Sequence, residues 1–232
     1  MKKKAIVIHS GGMDSSLCLY KAIEDHGREN VLSLTFRYGQ RHSTELAASE
    51  HICREWGVDQ TILDIDCLQQ ITENSLINHD LEIAHNTGES PNSLVVGRNG
   101  LMVRLAAIHA DSLGAKEVYT GVIEVEEANS GYRDCSRDYM DMMESILRLD
   151  LDNPQFRVMT PVVKMTKLET MEMASKMGIL EFLLENTITC YEGIAQQGCM
   201  KCPACFLRNQ GILEYKKKHP HFILSFLHKV NK

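Results

Sequence analysis

The sequence predicts an α/β protein built on a doubly wound parallel sheet. Three observations carry that prediction. Short apolar runs alternate with amphipathic stretches through residues 1–65. Glycines at 27, 57, 114 and 178 punctuate the pattern where helices should end. A Gly-rich turn, His9–Ser16 (H-S-G-G-M-D-S-S), joins the first apolar run to the first amphipathic stretch.

Taken in order, Lys4–Ile8 reads as a buried first strand, and a helix follows over about Ser15–His26, with Ser15 or Ser16 as its cap. Val31–Phe36 is a second strand, and Arg37–His42 ends it. The helix Ser43–Trp56 has Leu46, Ala47, Ile52 and Cys53 on its apolar face, and Gln60–Ile65 is a third strand. Asp66–Pro91 is polar and aperiodic; a connection this long inside an α/β domain reads as a lid, binding loop or interface segment. Its His79 and His85 lack metal-ligand spacing and read as solvated.

The alternation then resumes with a helix over Asn99–Leu113 and a strand at Glu117–Gly121. An irregular stretch, Val122–Cys135, precedes a helix at Ser136–Leu149 and a short strand at Phe156–Met159. Thr166–Met177 is a helix with Thr166 at the cap and Glu169 at the capping-box position. Gly211–Lys218 and His221–Val230 are expected to be helical and packed on the domain. Ligands of doubly wound sheets sit beyond the carboxyl ends of strands, so the turns after strands one, two and four should converge on one crevice.

A chain of 232 residues can bury one good core. The division expected is an α/β domain over 1–185 and a small cysteine-rich subdomain with a helical tail over 186–232. The net charge of −6 argues against a general affinity for nucleic acid, and the basic stretch Lys216–Lys232 reads as a solvated helix face and tail. No apolar run approaches 18 residues, so no membrane span is expected. The opening M-K-K-K-A-I-V-I imitates a signal peptide, but its apolar part stops at His9 after four residues. The protein is expected to be cytoplasmic.

Eight cysteines divide into four scattered ones, at 18, 53, 67 and 135, and a cluster, Cys190-x8-Cys199-x2-Cys202-x2-Cys205. Four clustered thiols in a cytosolic chain point to tetrahedral Zn²⁺, with Cys190, Cys199, Cys202 and Cys205 as ligands. Four thiolates leave no open position, so the metal should be structural. An iron–sulfur cluster is the rival; Phe206 rather than Pro after the last cysteine, and no other redox signal, favour zinc.

The turn at His9–Ser16 is a concave set of backbone N–H donors at a helix N-terminus, suited to a phosphate. It is not a Walker A loop, since no Lys follows the glycines. It resembles the pyrophosphate loop of the N-type ATP pyrophosphatases. Further motifs stand in order behind it: Tyr38-Gly39-Gln40-Arg41-His42, Gly97-Arg98-Asn99, Ser130-Gly131-Tyr132-Arg133-Asp134-Cys135, Thr160-Pro161 with Lys167, and Thr189-Cys190-Tyr191 through Cys205-x-x-Arg208. Together they resemble the 7-cyano-7-deazaguanine synthase (preQ0 synthase, QueC) family over nearly the whole chain.

The resemblance implies an adenine nucleotide alpha hydrolase-like, Rossmann-like fold and an ATP-dependent carbon–nitrogen ligase. ATP and Mg²⁺ are the implied cofactors and 7-carboxy-7-deazaguanine and ammonia the substrates, in a homodimer. Ser10, Gly11, Gly12, Met13, Asp14, Ser15 and Ser16 would bind the pyrophosphate, with Asp14 a Mg²⁺-associated or loop-ordering carboxylate. Lys167 and Arg98 are candidate cations for phosphate or carboxylate; the alternatives are an exposed lysine and a surface ion pair. Tyr38, Gln40, Arg98, Asn99, Tyr132 and Asp134 are the candidate substrate residues, Tyr132 having loop packing as its alternative. Cys135 reads as structural or pocket-lining, because the sequence offers no recognisable His partner.

Most departures from the family pattern lie near the acceptor and substrate loops: Arg37 in place of Asp, Val96 and Arg133 in place of Pro, and Glu124–Asn129 without the common Asp-Phe/Tyr-Ser ending; Met200-Lys201 stands in the Cys199–Cys202 turn, which usually carries Gly. They motivate a second expectation, a paralogue of bacterial defence systems that passes the activated carboxyl to an amine of a partner protein.

Overall fold

A computed structural model describes residues 2–39, 43–72, 94–124 and 132–224. Its five strands are β1 (Ala5–Ile8), β2 (Val31–Arg37), β3 (Asp59–Asp64), β4 (Glu117–Tyr119) and β5 (Arg157–Met159). All pair in parallel, in the order β3-β2-β1-β4-β5. β1 and β2 are almost continuously apolar because both faces of a parallel sheet are covered.

The helices are α1 (Met13–His26), α2 (Thr44–Trp56), α3 (Cys67–Ile71), α4 (Arg98–Leu113), α5 (Arg137–Asp150), α6 (Lys167–Lys176), α7 (Leu180–Asn186) and α8 (Pro203–Lys218). Side chains of β1 alternate between two cores. Ala5 and Val7 join Leu17 of α1, Ile52 of α2, Met171 of α6, Leu183 of α7 and Ile212 of α8. Ile6 joins Leu68 of α3, Val103 and Ala106 of α4, and Met140 and Leu147 of α5. The doubly wound arrangement is thus as expected, and its switch point lies between β1 and β4, whose connections leave on opposite faces.

The outer edge of β5 is closed from above by α5. Val158 N–H donates to Glu144 Oε2 at 2.7 Å, and the Val158 carbonyl accepts from Arg137 Nη1 at 2.8 Å.

Several boundaries differ from expectation. α1 starts at Met13 with Gly12 as its cap, and no side chain caps it. Ser15 and Ser16 lie within the first turn, and their hydroxyls bond back to the Gly12 carbonyl at 3.1 and 2.7 Å. Serines there have that nearby carbonyl as a partner and need not cap. The segment expected to be irregular from Asp66 begins with the short α3, anchored by Leu68. α7 went unforeseen because seven residues after Gly178 are too few to display a helical period.

α8 begins at Pro203, inside the cysteine cluster, rather than at Gly211. Pro203 suits the first helical turn, and the Cys202 sulfur accepts from Cys205 N at 3.5 Å. The expected helix over His221–Val230 does not form at 221–224, and its remainder lies outside the described residues. His79 and His85 also lie outside them. The capping box of α6 is present: Thr166 Oγ1 accepts from Glu169 N at 3.2 Å, and Glu169 Oε2 accepts from Thr166 N at 2.8 Å. Among the described residues, no helix is long and apolar enough to cross a membrane.

Candidate active site

The turn after β1 is held by its own side chains. Ser10 N donates to Ser15 Oγ at 3.2 Å, and Gly12 N donates to Ser10 Oγ at 3.3 Å. Met13 is buried and anchors the start of α1 in the core. Gly11 takes a φ of +84°, and a Cβ there would stand 2.3 Å from the Glu45 carbonyl oxygen of α2. Only glycine meets both demands. The amides of Met13, Asp14 and Ser15 open α1 and have no intrahelical acceptor, which leaves a positive end at the mouth of the turn.

Asp14 projects from this turn and forms an ion pair with Lys167, the first residue of α6. Lys167 is not the exposed lysine of the alternative reading: its side chain is 13% exposed. Gly211 of α8 lets that helix close on the Lys167 stem, since a Cβ on it would lie 2.8 Å from Lys167 Cβ. The second Asp14 oxygen, Oδ1, is buried with no hydrogen-bond partner among the described residues. A buried carboxylate oxygen left open beside an anion-binding turn fits coordination of a hard cation such as Mg²⁺.

A second group gathers at the N-terminus of α4. Arg98 Nη1 donates to the Tyr38 hydroxyl at 3.2 Å, with the guanidinium carbon 5.4 Å from the ring centroid. Asp134 accepts the Asn99 amide on Oδ2 at 3.0 Å, while its Oδ1 is buried and unpartnered among the described residues. Asn99 Nδ2 donates to the Cys135 sulfur at 3.2 Å. Burial, reinforced by the Asp134 charge, pushes the Cys135 thiol up to about 12, which keeps it protonated and agrees with a structural role. Tyr132 hydrogen-bonds the Tyr191 hydroxyl, and burial holds Tyr191 well above the usual phenol range. Gln40 lies outside the described residues. Arg37 turns away to an exposed bidentate pair with Asp64 of β3, so its charge is already matched.

Four residues to which the sequence motifs assign no role of their own tie these groups together. Gly121, just past β4, lies so close to α1 that a Cβ would stand 2.7 Å from Ser15 N. Glu45, in the first turn of α2, shares the Arg98 surroundings; burial pushes its carboxyl up to about 7 against the pull of Arg98. An acidic residue in a helix's first turn ordinarily reads as a dipole partner, so no motif marked it. Ile188 N donates to the Gly11 carbonyl at 3.0 Å, tying the lead-in of the cysteine cluster to the turn. Tyr191, quoted only as part of a longer motif, comes from the cluster itself and is within reach of the Arg98 charge.

The sulfur atoms of Cys190, Cys199, Cys202 and Cys205 all lie within 4.8 Å of one another. A tetrahedral ion with bonds of about 2.3 Å would set sulfurs about 3.8 Å apart. Backbone amides already point at them: Glu192 N and Cys199 N donate to Cys190 at 3.3 Å, and Cys202 N donates to Cys199 at 3.2 Å. Amide donors of this kind stabilise thiolates, so the donor set fits a thiolate-bound metal. Arg208 is fully buried beside them and donates to the Leu184 carbonyl at 3.0 Å, its charge offsetting part of theirs.

Among solved structures, the chain is similar to a 4-thiouridine synthetase crystallised with RNA and bound ATP, at 19% identity and a TM-score of 0.49, covering 94% of this chain and 53% of that one. It thus spans about half the length of that synthetase. It is also similar to NMN synthetase from Francisella tularensis, at 9% identity and a TM-score of 0.49, covering 97% and 89% of the two chains. A third similar structure is the U34-tRNA thiolase NcsA from Methanococcus maripaludis with its [4Fe-4S] cluster, at 13% identity and a TM-score of 0.46, covering 97% and 75%. The family described as "Queuosine biosynthesis protein QueC" matches residues 4–216, from β1 through the cysteine cluster into α8, and the chain therefore belongs to the QueC family.

Proposed function

We propose that the chain is an ATP-dependent ligase that adenylates 7-carboxy-7-deazaguanine and converts it, with ammonia, through the amide to 7-cyano-7-deazaguanine. The observation that carries this reading is Asp14, with one oxygen paired to Lys167 and the other open, at the mouth of the turn after β1. Asp14 would hold Mg²⁺, which supplies charge neutralisation on the phosphates when bound. Lys167 and the amides of Met13 to Ser15 bind the β- and γ-phosphates and stabilise the pyrophosphate as the bond to the α-phosphorus breaks.

The substrate carboxylate oxygen attacks that phosphorus and becomes a leaving group. Ammonia adds to the acyl carbon, and AMP and a proton depart; a second adenylation on the amide oxygen releases pyrophosphate and one amide proton, and loss of AMP with the other proton leaves the nitrile. Arg98 orients the carboxylate, and its bond to Tyr38 limits where the guanidinium can go. The open oxygen of Asp134 accepts an N–H of the heterocycle, while Tyr132 and Tyr191 pack its ring. Residues 186–232 act as a metal-binding subdomain in which the four cysteines hold a structural Zn²⁺.

Incubation with 7-carboxy-7-deazaguanine, ATP, Mg²⁺ and ammonium tests the reading by mass spectrometry. Amide and nitrile, with AMP and pyrophosphate, are the expected products. Pyrophosphate release without either product, together with a mass gain on a co-expressed protein, would move the acceptor from ammonia to a protein amine. No substrate-dependent pyrophosphate release would overturn adenylation itself. Metal analysis of the purified protein is expected to give zinc, and iron with acid-labile sulfide would replace it by a cluster.

A further inference from the structure

His9 directly follows β1 and is completely buried beneath the anion-binding turn, where the buried hydroxyls of Ser16 and Ser33 face its ring. Its Nε2 lies 3.0 Å from Ser16 Oγ in α1, and its Nδ1 lies 3.1 Å from Ser33 Oγ in β2. The Cys53 sulfur of α2 is 3.7 Å from Nδ1. The pattern fixes the protons. A serine hydroxyl has one proton, and Ser16 Oγ is 2.7 Å from the Gly12 carbonyl oxygen, which can only accept. Ser16 therefore donates to Gly12 and must accept from His9, so the imidazole carries its proton on Nε2. Nδ1 is left as an acceptor, and Ser33 donates to it.

The Gly12 carbonyl takes Ser16 N at 3.0 Å and Ser15 Oγ at 3.1 Å as well. In a trans peptide the carbonyl and the following N–H point in opposite directions. Drawing the Gly12 carbonyl into α1 therefore turns the Met13 amide outward, to where a phosphate would be bound. We propose that His9 is the positioning residue of this turn: its neutral imidazole, in the Nε2–H form, donates to Ser16 Oγ, holds the Ser16 hydroxyl on the Gly12 carbonyl and so aims the Met13 amide at the ligand's phosphate. Burial drives the imidazole down to about 3, so it stays neutral across the physiological range. The functional half of this inference rests on the ATP-binding reading above; the tautomer does not.

Two measurements test it on the full-length protein. Imidazole ¹⁵N spectra are expected to show Nε2 protonated and Nδ1 bare, and the opposite tautomer overturns the proposal whether or not ATP binds. Mg-ATP and pyrophosphate titrations then compare wild type with His9→Phe, His9→Gln and Ser33→Ala. His9→Phe keeps a flat ring and loses the donor; it is expected to weaken ATP and pyrophosphate binding roughly tenfold or more and to lower kcat as well, since the Met13 amide also serves the departing pyrophosphate. His9→Gln restores an N–H near Nε2 and is expected to recover most of the affinity. Ser33→Ala, distant from the ligand, is expected to weaken binding by severalfold, and it serves should His9→Phe fail to fold. Unchanged affinity in Ser33→Ala and His9→Phe, or equal losses in His9→Phe and His9→Gln, would refute the positioning role. Wild-type protein that binds neither ligand would refute the ATP reading and the functional half together, while the spectra still decide the tautomer.

Discussion

Gly121→Ala is the sharpest steric probe of the site. The added methyl would lie 2.7 Å from Ser15 N and 2.9 Å from Asp14 C and Ser15 Cα. All three are backbone atoms of the first turn of α1, so none can rotate away. Ordinary contact begins near 3.4 Å, and the turn must therefore retreat from β4 by about 0.7 Å (3.4 − 2.7). Overpacking of this kind costs about 1–3 kcal/mol, a fall in Tm of roughly 2–12 °C for a chain of this length. A 1 Å misplacement of reacting groups costs about 100-fold, so kcat/KM for ATP should fall roughly 10- to 100-fold. Substrate-dependent ATP–pyrophosphate exchange, run beside thermal melting, measures the two effects separately. Exchange within twofold of wild type together with an unchanged Tm would show that β4 does not brace the turn.

The other predictions address charge, protons and metal. Lys167→Met leaves Asp14 without its partner at a half-buried site; unit charges about 4 Å apart at an effective dielectric near 20 interact by about 4 kcal/mol, so kcat/KM for ATP should fall at least 100-fold, read in steady-state kinetics at two salt concentrations. The His9 imidazole is held at about 3 in the folded chain against an ordinary value of 6.5, so the unfolded chain binds the extra proton between those limits. The associated stability is present in full above 6.5 and is lost as pH falls toward 3, amounting to roughly 3 kcal/mol by pH 4.5; urea titrations should show His9→Phe with the shallower pH slope from 6.5 to 4.5. Cys202→Ser should lose the metal and, because Ile188 N holds the Gly11 carbonyl, weaken Mg-ATP binding as well; elemental analysis and calorimetry check both.

Legibility of the fold tracked the length and regularity of each element. β1 and β2 declared themselves as apolar runs and α2 and α4 as amphipathic stretches stopped by Gly57 and Gly114, although α2 buries Ala48 and Ser49 and leaves Ala47, expected on its apolar face, exposed. α7 and α3 did not, since seven and five residues carry no readable period. The start of α8 was obscured by its own cysteines: they read as ligands, and Cys202 also opens the helix. At the site, Asp14 and Lys167 were named separately, but their meeting across 153 residues is a tertiary fact. Gly121 is invisible in sequence because its role is a distance to another backbone. Arg37 misled in the opposite sense: its sign was noticed, and its neutralising partner Asp64 sits on a strand 27 residues away. Glu45 lacked a motif and His9 stood only at the head of one with no role of its own; what sets both apart is desolvation, which no spacing records.

The clasp of Arg137 and Glu144 on Val158 bears on how this protein behaves in a crowd. A bare sheet margin is a template on which a foreign strand can zip. Here the outward amide and carbonyl at the centre of β5 are already engaged by charged side chains. A would-be invader must first strip two charge-assisted bonds, each worth about 1.5–3 kcal/mol. Growth of an intermolecular ladder from that margin is thereby discouraged.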